Sequence, residues 1–220
     1  MNRKKSVIII LAILLIALVV FMVNIISKMI IIQDINDKVS KYRNSEHYYE
    51  KKVAHFDSGD LIIEHYSKGE NAVTFQIHND KDIHFQQTIV DYYKGEQNNR
   101  YVDSKFYGKS ALLNINQTSE KIKIRGLDYD NNFWNLVQIA ITTPITEVNY
   151  NGRKCYFIDS DKFNHPYIDK ETGLTLRISQ EPLDKINKKL DGVAEFEYKF
   201  ENFDDSIFTE PDISEYIIEE

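Results

Sequence analysis

The first 32 residues contain no acidic side chain, and the remaining 188 carry all 34 carboxylates of the chain. Cysteine is almost missing as well, with Cys155 alone. One cysteine cannot close an internal disulfide, which excludes a disulfide framework. No Gly-rich phosphate loop, no G-x-S-x-G and no Cys–His motif occurs, so the strongest signatures of nucleotide binding and nucleophilic catalysis are absent. The chain has neither an internal repeat nor a low-complexity segment.

What fills the acid-free head is apolar. Arg3, Lys4 and Lys5 come first, then Val7 to Val23 without a polar side chain. From Asn24 to Ile32 only Asn24, Ser27 and Lys28 are polar. A helix rises ~1.5 Å per residue, so ~20 apolar residues cross a bilayer core. Lys28 can snorkel to the interface. The basic cluster predicts a cytoplasmic N-terminus and an extracytoplasmic remainder. A cleaved signal peptide would have an apolar region of only ~7–15 residues and a small-residue cleavage site. Val19 to Asn24 offers no A-x-A pattern. The reading is an uncleaved anchor over 1–32 and one domain over 33–220, long enough to bury its own core.

Removing Arg3, Lys4, Lys5 and Lys28 from 27 bases leaves 23 against 34 acids in that domain, a formal −11. This opposes a nucleic-acid partner and electrostatic adsorption to anionic lipid. Cys155 lies in Lys154-Cys155-Tyr156-Phe157-Ile158, a strand-like run, and reads as a small buried hydrophobe.

Ile35, Val39 and Tyr42 form one apolar stripe and predict a helix over 33–45, continuing the anchor and packing on the domain's own sheet. From His47 the pattern changes to short period-two runs rich in Tyr, Phe, Ile and Val. They predict strands at Tyr48–Phe56, Leu61–Tyr66, a run through Val73, Phe75 and Ile77, another through Ile83, Phe85 and Ile89, then Arg100–Ser104 and Ser110–Ile115. Asp128–Thr142 reads as a helix capped by Asp128 or Asp130 and stopped by Pro144, with Trp134 largely buried. Asn151-Gly152 between Ile145–Tyr150 and Arg153–Asp159 predicts a type I′ hairpin. Tyr167-Ile168-Asp169, the turn Lys170-Glu171-Thr172-Gly173, and Leu174, Leu176 and Ile178 make a second hairpin. Residues 181–192 read as a loop or short helix. Phe196, Tyr198 and Phe200 alternate with charged residues, a strand with one wet face. About ten strands with two covering helices predict an α+β fold. The transmembrane helix is followed by a half-open, strongly curved antiparallel sheet or barrel.

The C-terminal third carries a resemblance. A strand Cys155–Asp159 precedes Pro166-Tyr167-Ile168-Asp169-Lys170-Glu171-Thr172-Gly173-Leu174, then Tyr198-Lys199-Phe200 and the tail Asp205 to Pro211. This pattern resembles LolA-like proteins, the superfamily of outer-membrane lipoprotein carriers, and in particular their membrane-anchored Gram-positive relatives. The resemblance spans about Asn44 to Tyr216. It implies a half-open antiparallel barrel closed by helices around a cavity that shelters acyl chains. Its motifs are structural, and no ligand residue carries over. An anchored chain differs from a soluble carrier because it cannot ferry cargo across a compartment.

The polar residues form no complete catalytic or metal-binding pattern. His78 and His84, with His65 or Glu64, could face one another, but closed zinc sites need four ligands and catalytic ones three. Asp159 with Asp161, and Glu195 with Glu197, pair carboxylates on strand faces without the divergent environments that acid/base work needs. Asn116-Gln117-Thr118 is a sequon treated as silent. No cofactor and no catalytic residue is expected. The 14 Tyr and 12 Phe are the positive signal. The expected hydrophobic ligand face is Phe75, Ile77, Phe85, Ile89, Leu176, Ile178, Phe196 and Tyr198, for a lipid, a lipoprotein or a protein segment. The alternative is a structural or signalling component of an envelope complex.

Overall fold

A computed structural model describes residues 3–42, 45–115, 127, 132–179 and 192–219. Its elements in chain order are helix α1 (Arg3–Ser40), strands β1 (His47–Phe56), β2 (Gly59–Lys68), β3 (Asn71–Asp80), β4 (Gln87–Lys94), β5 (Gln97–Ser104) and β6 (Gly108–Ile115), helix α2 (Phe133–Thr142), then strands β7 (Ile145–Tyr150), β8 (Arg153–Ile158), β9 (Tyr167–Asp169), β10 (Thr175–Ile178), β11 (Val193–Lys199) and β12 (Ile217–Glu219). The strands form one sheet in the order β12-β6-β5-β4-β3-β2-β1-β11-β10-β9-β8-β7. Every pair is antiparallel except β12 against β6. The fold is α+β, an N-terminal apolar helix followed by an open, curved sheet.

α1 is one unbroken helix that changes character along its length. From Val7 to Val23 its apolar side chains are exposed on all sides. Burial begins at Ile25 and recurs at Ile32, Ile35 and Val39, spacings of seven, three and four that draw one stripe. That stripe packs on the sheet. Ile32 and Ile35 join Leu136, Ile139, Tyr156, Ile158 and Ile168, and Val39 joins Tyr48 and Leu174. Fully burying each such aliphatic stabilises by roughly 1.5–3 kcal/mol. Lys38 ties the same turn to the β9–β10 hairpin by donating to the Lys170 carbonyl at 2.6 Å.

Local turn chemistry sets the hairpins. Asn151 and Gly152 have φ of 49° and 79°, the two positive values that a type I′ turn requires. The run through Ile83 and Phe85 is not a strand. Asp82 caps a 3₁₀ turn by accepting from the His84 N–H at 3.0 Å, and Asp80 accepts from the Asp82 N–H at 2.9 Å. Two Asx contacts in a row outweigh the apolar spacing, so the ladder resumes only at Gln87.

α2 starts at Asn132, whose side chain accepts from the Trp134 N–H at 3.0 Å. Asp128 and Asp130 lie outside the described residues, as do the sequon and all of 181–192 except Gly192. Trp134 is 73% exposed, against the expectation of a buried ring. At ~100° per residue it points about 160° away from Leu136, which faces the core.

The sheet's two faces are covered by different elements. Side chains directly opposite across an antiparallel pair share a face. Tyr48, Tyr156, Ile158 and Ile168 face α1 and α2. The other face, with Tyr49, Tyr66, Phe75 and Tyr101, meets residues 200–219. Phe203 packs on Tyr49 and Tyr66, Lys68 pairs with Asp205, Tyr101 donates to Glu210, and Tyr216 packs on Tyr101. This C-terminal strap crosses from β1 to β6 and ends as β12.

Candidate functional site

The sheet splits between β10 and β11. Their register pairs are Arg177↔Glu195 and Ile178↔Ala194. Beyond Glu195, β11 stays paired with β1 as far as Lys199. Thr172, Leu174 and Leu176 diverge from Phe196, Tyr198 and Phe200, and a cleft of about 610 Å³ opens between them. That volume falls in the ~300–1,000 Å³ range of small-molecule sites. Tyr42, in the turn that follows α1, closes one side and stacks on Phe200 at 4.4 Å between ring centroids.

One wall is apolar and the rim is charged. Lys51, Arg153, Glu195 and Glu197 line the rim. Lys51 lies 3.3 Å from Glu64, and Arg153 lies 3.3 Å from buried Asp169. Tyr150 donates to Glu195. Burial first, and the Glu195 carboxylate second, push the Tyr150 hydroxyl above its ordinary value, so it acts as a donor. Beside it, Arg177 lies 5.7 Å from the Tyr150 ring centre and 5.5 Å from that of Tyr167, within cation–π reach. Among the described residues its buried Nε has no hydrogen-bond partner.

On the helix-facing side, a row of polar residues crosses five strands. Glu50 stands opposite His65, His65 opposite Thr74, Thr74 opposite Asp91, and Asp91 opposite Arg100. Tyr48 donates to Glu50. His65 Nδ1 is 2.9 Å from Thr74 Oγ1. Arg100 grips Asp91 with two bonds of 2.8 and 3.1 Å. Glu50, His65 and Asp91 are buried. Desolvation lowers the His65 pKa to about 4, so the ring is neutral at neutral pH. No strand taken alone carries a signal for this row. Each contributes one polar residue to the row, and only the register aligns them.

A second cleft of about 490 Å³ lies between the polar side of α2 and the 3₁₀ turn Asp161–Phe163. Buried His165 bonds Asp161 through Nε2 at 2.8 Å. Its Nδ1 lies 3.0 Å from Asp159 but lacks hydrogen-bond alignment. Among the described residues no three His, Cys, Asp or Glu converge as a metal set. His78 stands opposite Leu61, and His84 lies in the Ile83–Phe85 turn. Cys155 is fully buried, and burial pushes its thiol up.

The eight residues expected on one ligand face are divided. Leu176, Phe196 and Tyr198 line the main cleft. Ile178 packs beside them against Ala54, Ala194 and Phe196. Ile89 shares the helix-facing side but sits on β4, opposite Gln76. Phe75 and Ile77 point to the opposite face, where Phe75 meets Tyr66. Phe85 is 63% exposed on its turn. A one-residue difference in parity separates Ile77 from Ile89, and the Asx-capped turn removes Phe85 from any ladder. Tyr42, Lys51, Tyr150 and Arg153 line the cleft without having been expected there; they come from elements distant in sequence.

No family model matches the chain. No curated protein matches it either. Among solved structures, an uncharacterized conserved protein from Thermus thermophilus aligns with 85% of this chain and 98% of its own, at 12% identity and a TM-score of 0.45. A DUF1329 family protein from Desulfovibrio piger aligns with 80% of this chain and 95% of its own, at 15% identity and a TM-score of 0.28. At such scores neither likeness bears on the function of this chain.

Proposed function

We propose that this chain is a membrane-anchored, extracytoplasmic binding module, without enzymatic activity, whose β10–β11 cleft receives the acyl chain of a lipid or lipoprotein. The observation that carries this reading is the split in the sheet, walled by Leu174, Leu176, Phe196, Tyr198 and Phe200. An apolar slot with a charged rim suits an amphiphile, chain inward and head at the mouth. Two further features support it. One helix is long and apolar enough to cross a membrane, and the basic residues before it favour a cytoplasmic N-terminus. The LolA-like pattern of the C-terminal third implies a lipid-sheltering cavity. Because the chain is tethered, the module holds or senses its ligand at the membrane surface and does not shuttle it.

Native mass spectrometry of the full chain after gentle extraction tests this. The expected result is a stoichiometric lipid adduct that is lost in Leu176→Trp, a cleft-filling change, with the melting temperature retained. An unmodified mass for the native chain, together with a cleft that takes up no fluorescent fatty acid, overturns the reading. A second reading, a docking protein in an envelope complex, rests on β7. It is an end strand of the sheet and pairs only with β8 among the described residues. An unpaired strand edge can accept a partner strand. A single stoichiometric protein crosslinked through β7 in cells supports that alternative.

A further inference from the structure

α2 has three sides. At about 100° per residue, Leu136, Ile139 and Ala140 occupy the side that is buried against α1 and the sheet. Asn135, Gln138 and Thr142 occupy a second, bordering the smaller cleft. Phe133, Trp134, Val137 and Ile141 occupy the third. Phe133, Trp134 and Ile141 are 60%, 73% and 50% exposed, and Val137 is half-buried. The helix carries no charged side chain. An uncharged helix with an apolar arc this much wider than its buried side is unusual at a surface that meets only water.

The position of α2 says what covers that side. Lys28 donates to the carbonyl of Thr143, immediately after α2, at 3.0 Å. Lys28 follows the exposed apolar run of α1 and lies three residues beyond Ile25, where burial begins. At ~1.5 Å per residue that is about 5 Å of helix. The end of α2 is therefore pinned to α1 close to where the side chains of the apolar span begin to be buried. α1 is continuous through this joint, so the lipid interface is a permanent neighbour of α2. The domain's net negative charge disfavours electrostatic adsorption, and an uncharged helix needs none.

We propose that the outer side of α2, Phe133, Trp134, Val137 and Ile141, seats in the lipid interface beside the exit of α1. The inference rests on α1 crossing the membrane. Insertion of an aromatic and aliphatic stripe at the headgroup boundary is how interfacial helices gain binding energy. The contact fixes the tilt of the domain on its tether and holds it close to the membrane.

Trp134 is the only tryptophan and reports on itself. The full chain is placed in phosphatidylcholine vesicles with plain or brominated acyl chains. Trp134 emission is expected to fall about twofold or more with brominated chains and to resist aqueous iodide. A doubly substituted chain, Phe21→Trp with Trp134→Phe, moves the reporter into the apolar run as a control. Quenching of the Phe21→Trp reporter while Trp134 stays bright and iodide-accessible overturns the proposal and leaves the span intact. Failure of both reporters to quench overturns the span itself, and this inference with it. Trp134 shielded from both bromine and iodide points to a second copy or another protein on α2, and also overturns it. Ile141→Asp, with near-ultraviolet circular dichroism unchanged, is expected to restore iodide access to Trp134.

Discussion

At the scale of single residues, burial constrains the chemistry of His65 and close packing constrains the geometry of Gly173. His65 is neutral because burial lowers its pKa to about 4 from an ordinary 6.5. An unfolded His65 binds a proton at higher pH than the folded one, so its contribution is intact above about pH 6.5 and is lost as pH falls towards 4. The full loss is about 3 kcal/mol. The groups around it are Glu50, Thr74 and the Tyr48 ring. Thermal unfolding followed from pH 7 to pH 4 should show this slope, and His65→Gln should flatten it. Gly173 has φ of +75°, and a Cβ there would stand 2.6 Å from the Ile35 carbonyl and 2.9 Å from Lys38 Cβ. Gly173→Ala is expected to cost more than the ~1–2 kcal/mol of left-handed strain alone, because the β9–β10 hairpin must also retreat from α1. A melting temperature equal to the native one would show that the hairpin does not rest on the helix.

At the scale of elements, the C-terminal strap decides which sheet face is available. Phe203 packs edge-on to Tyr66 at 5.5 Å, and Tyr216 does so to Tyr101 at 5.2 Å. Phe203 is half-buried, so Phe203→Ala should cost about 1–2 kcal/mol, below the range of fully buried Phe→Ala changes. Urea denaturation measures the loss. The same change should raise binding of a hydrophobic dye, because Tyr49 and Tyr66 lose their cover. The period-two pattern of β3 showed correctly that Val73, Phe75 and Ile77 share a face. It could not show that the tail of the same chain already occupies that face. Likewise the apolar spacing across Ile83, Phe85 and Ile89 was real, but Asp80 and Asp82 spent it on a turn.

At the scale of the whole molecule, α1 is both an apolar span long enough to cross a membrane and a part of the core. Ile32, Ile35 and Val39 are buried in the domain. A chain truncated to begin at residue 41 loses these three, roughly 5–9 kcal/mol at 1.5–3 kcal/mol each. That is comparable to the ~5–15 kcal/mol stability of an ordinary domain. Such a chain should be unfolded or aggregated by circular dichroism, while one beginning at residue 25 should melt cooperatively. Equal behaviour of the two would mean that the stripe contributes little. The apolar span thus runs into the fold within one continuous helix, and any movement of α1 reaches the β9–β10 hairpin beside the cleft.

The sequence by itself determined the apolar span, the stripe Ile35–Val39, the Asn151-Gly152 hairpin and most of the strands. Each follows from a local rule: hydrophobic length, helical spacing, positive φ, or period two. Only the tertiary structure decided the cleft and the polar row. The cleft exists because β10 leaves β11 after two register pairs, and its walls come from the turn after α1, from β1, β7 and β11, and from the β9–β10 hairpin. The row from Glu50 to Arg100 exists because five strands align one polar residue each. Neither is encoded in any single run, since both depend on which strands are neighbours and in what register they meet.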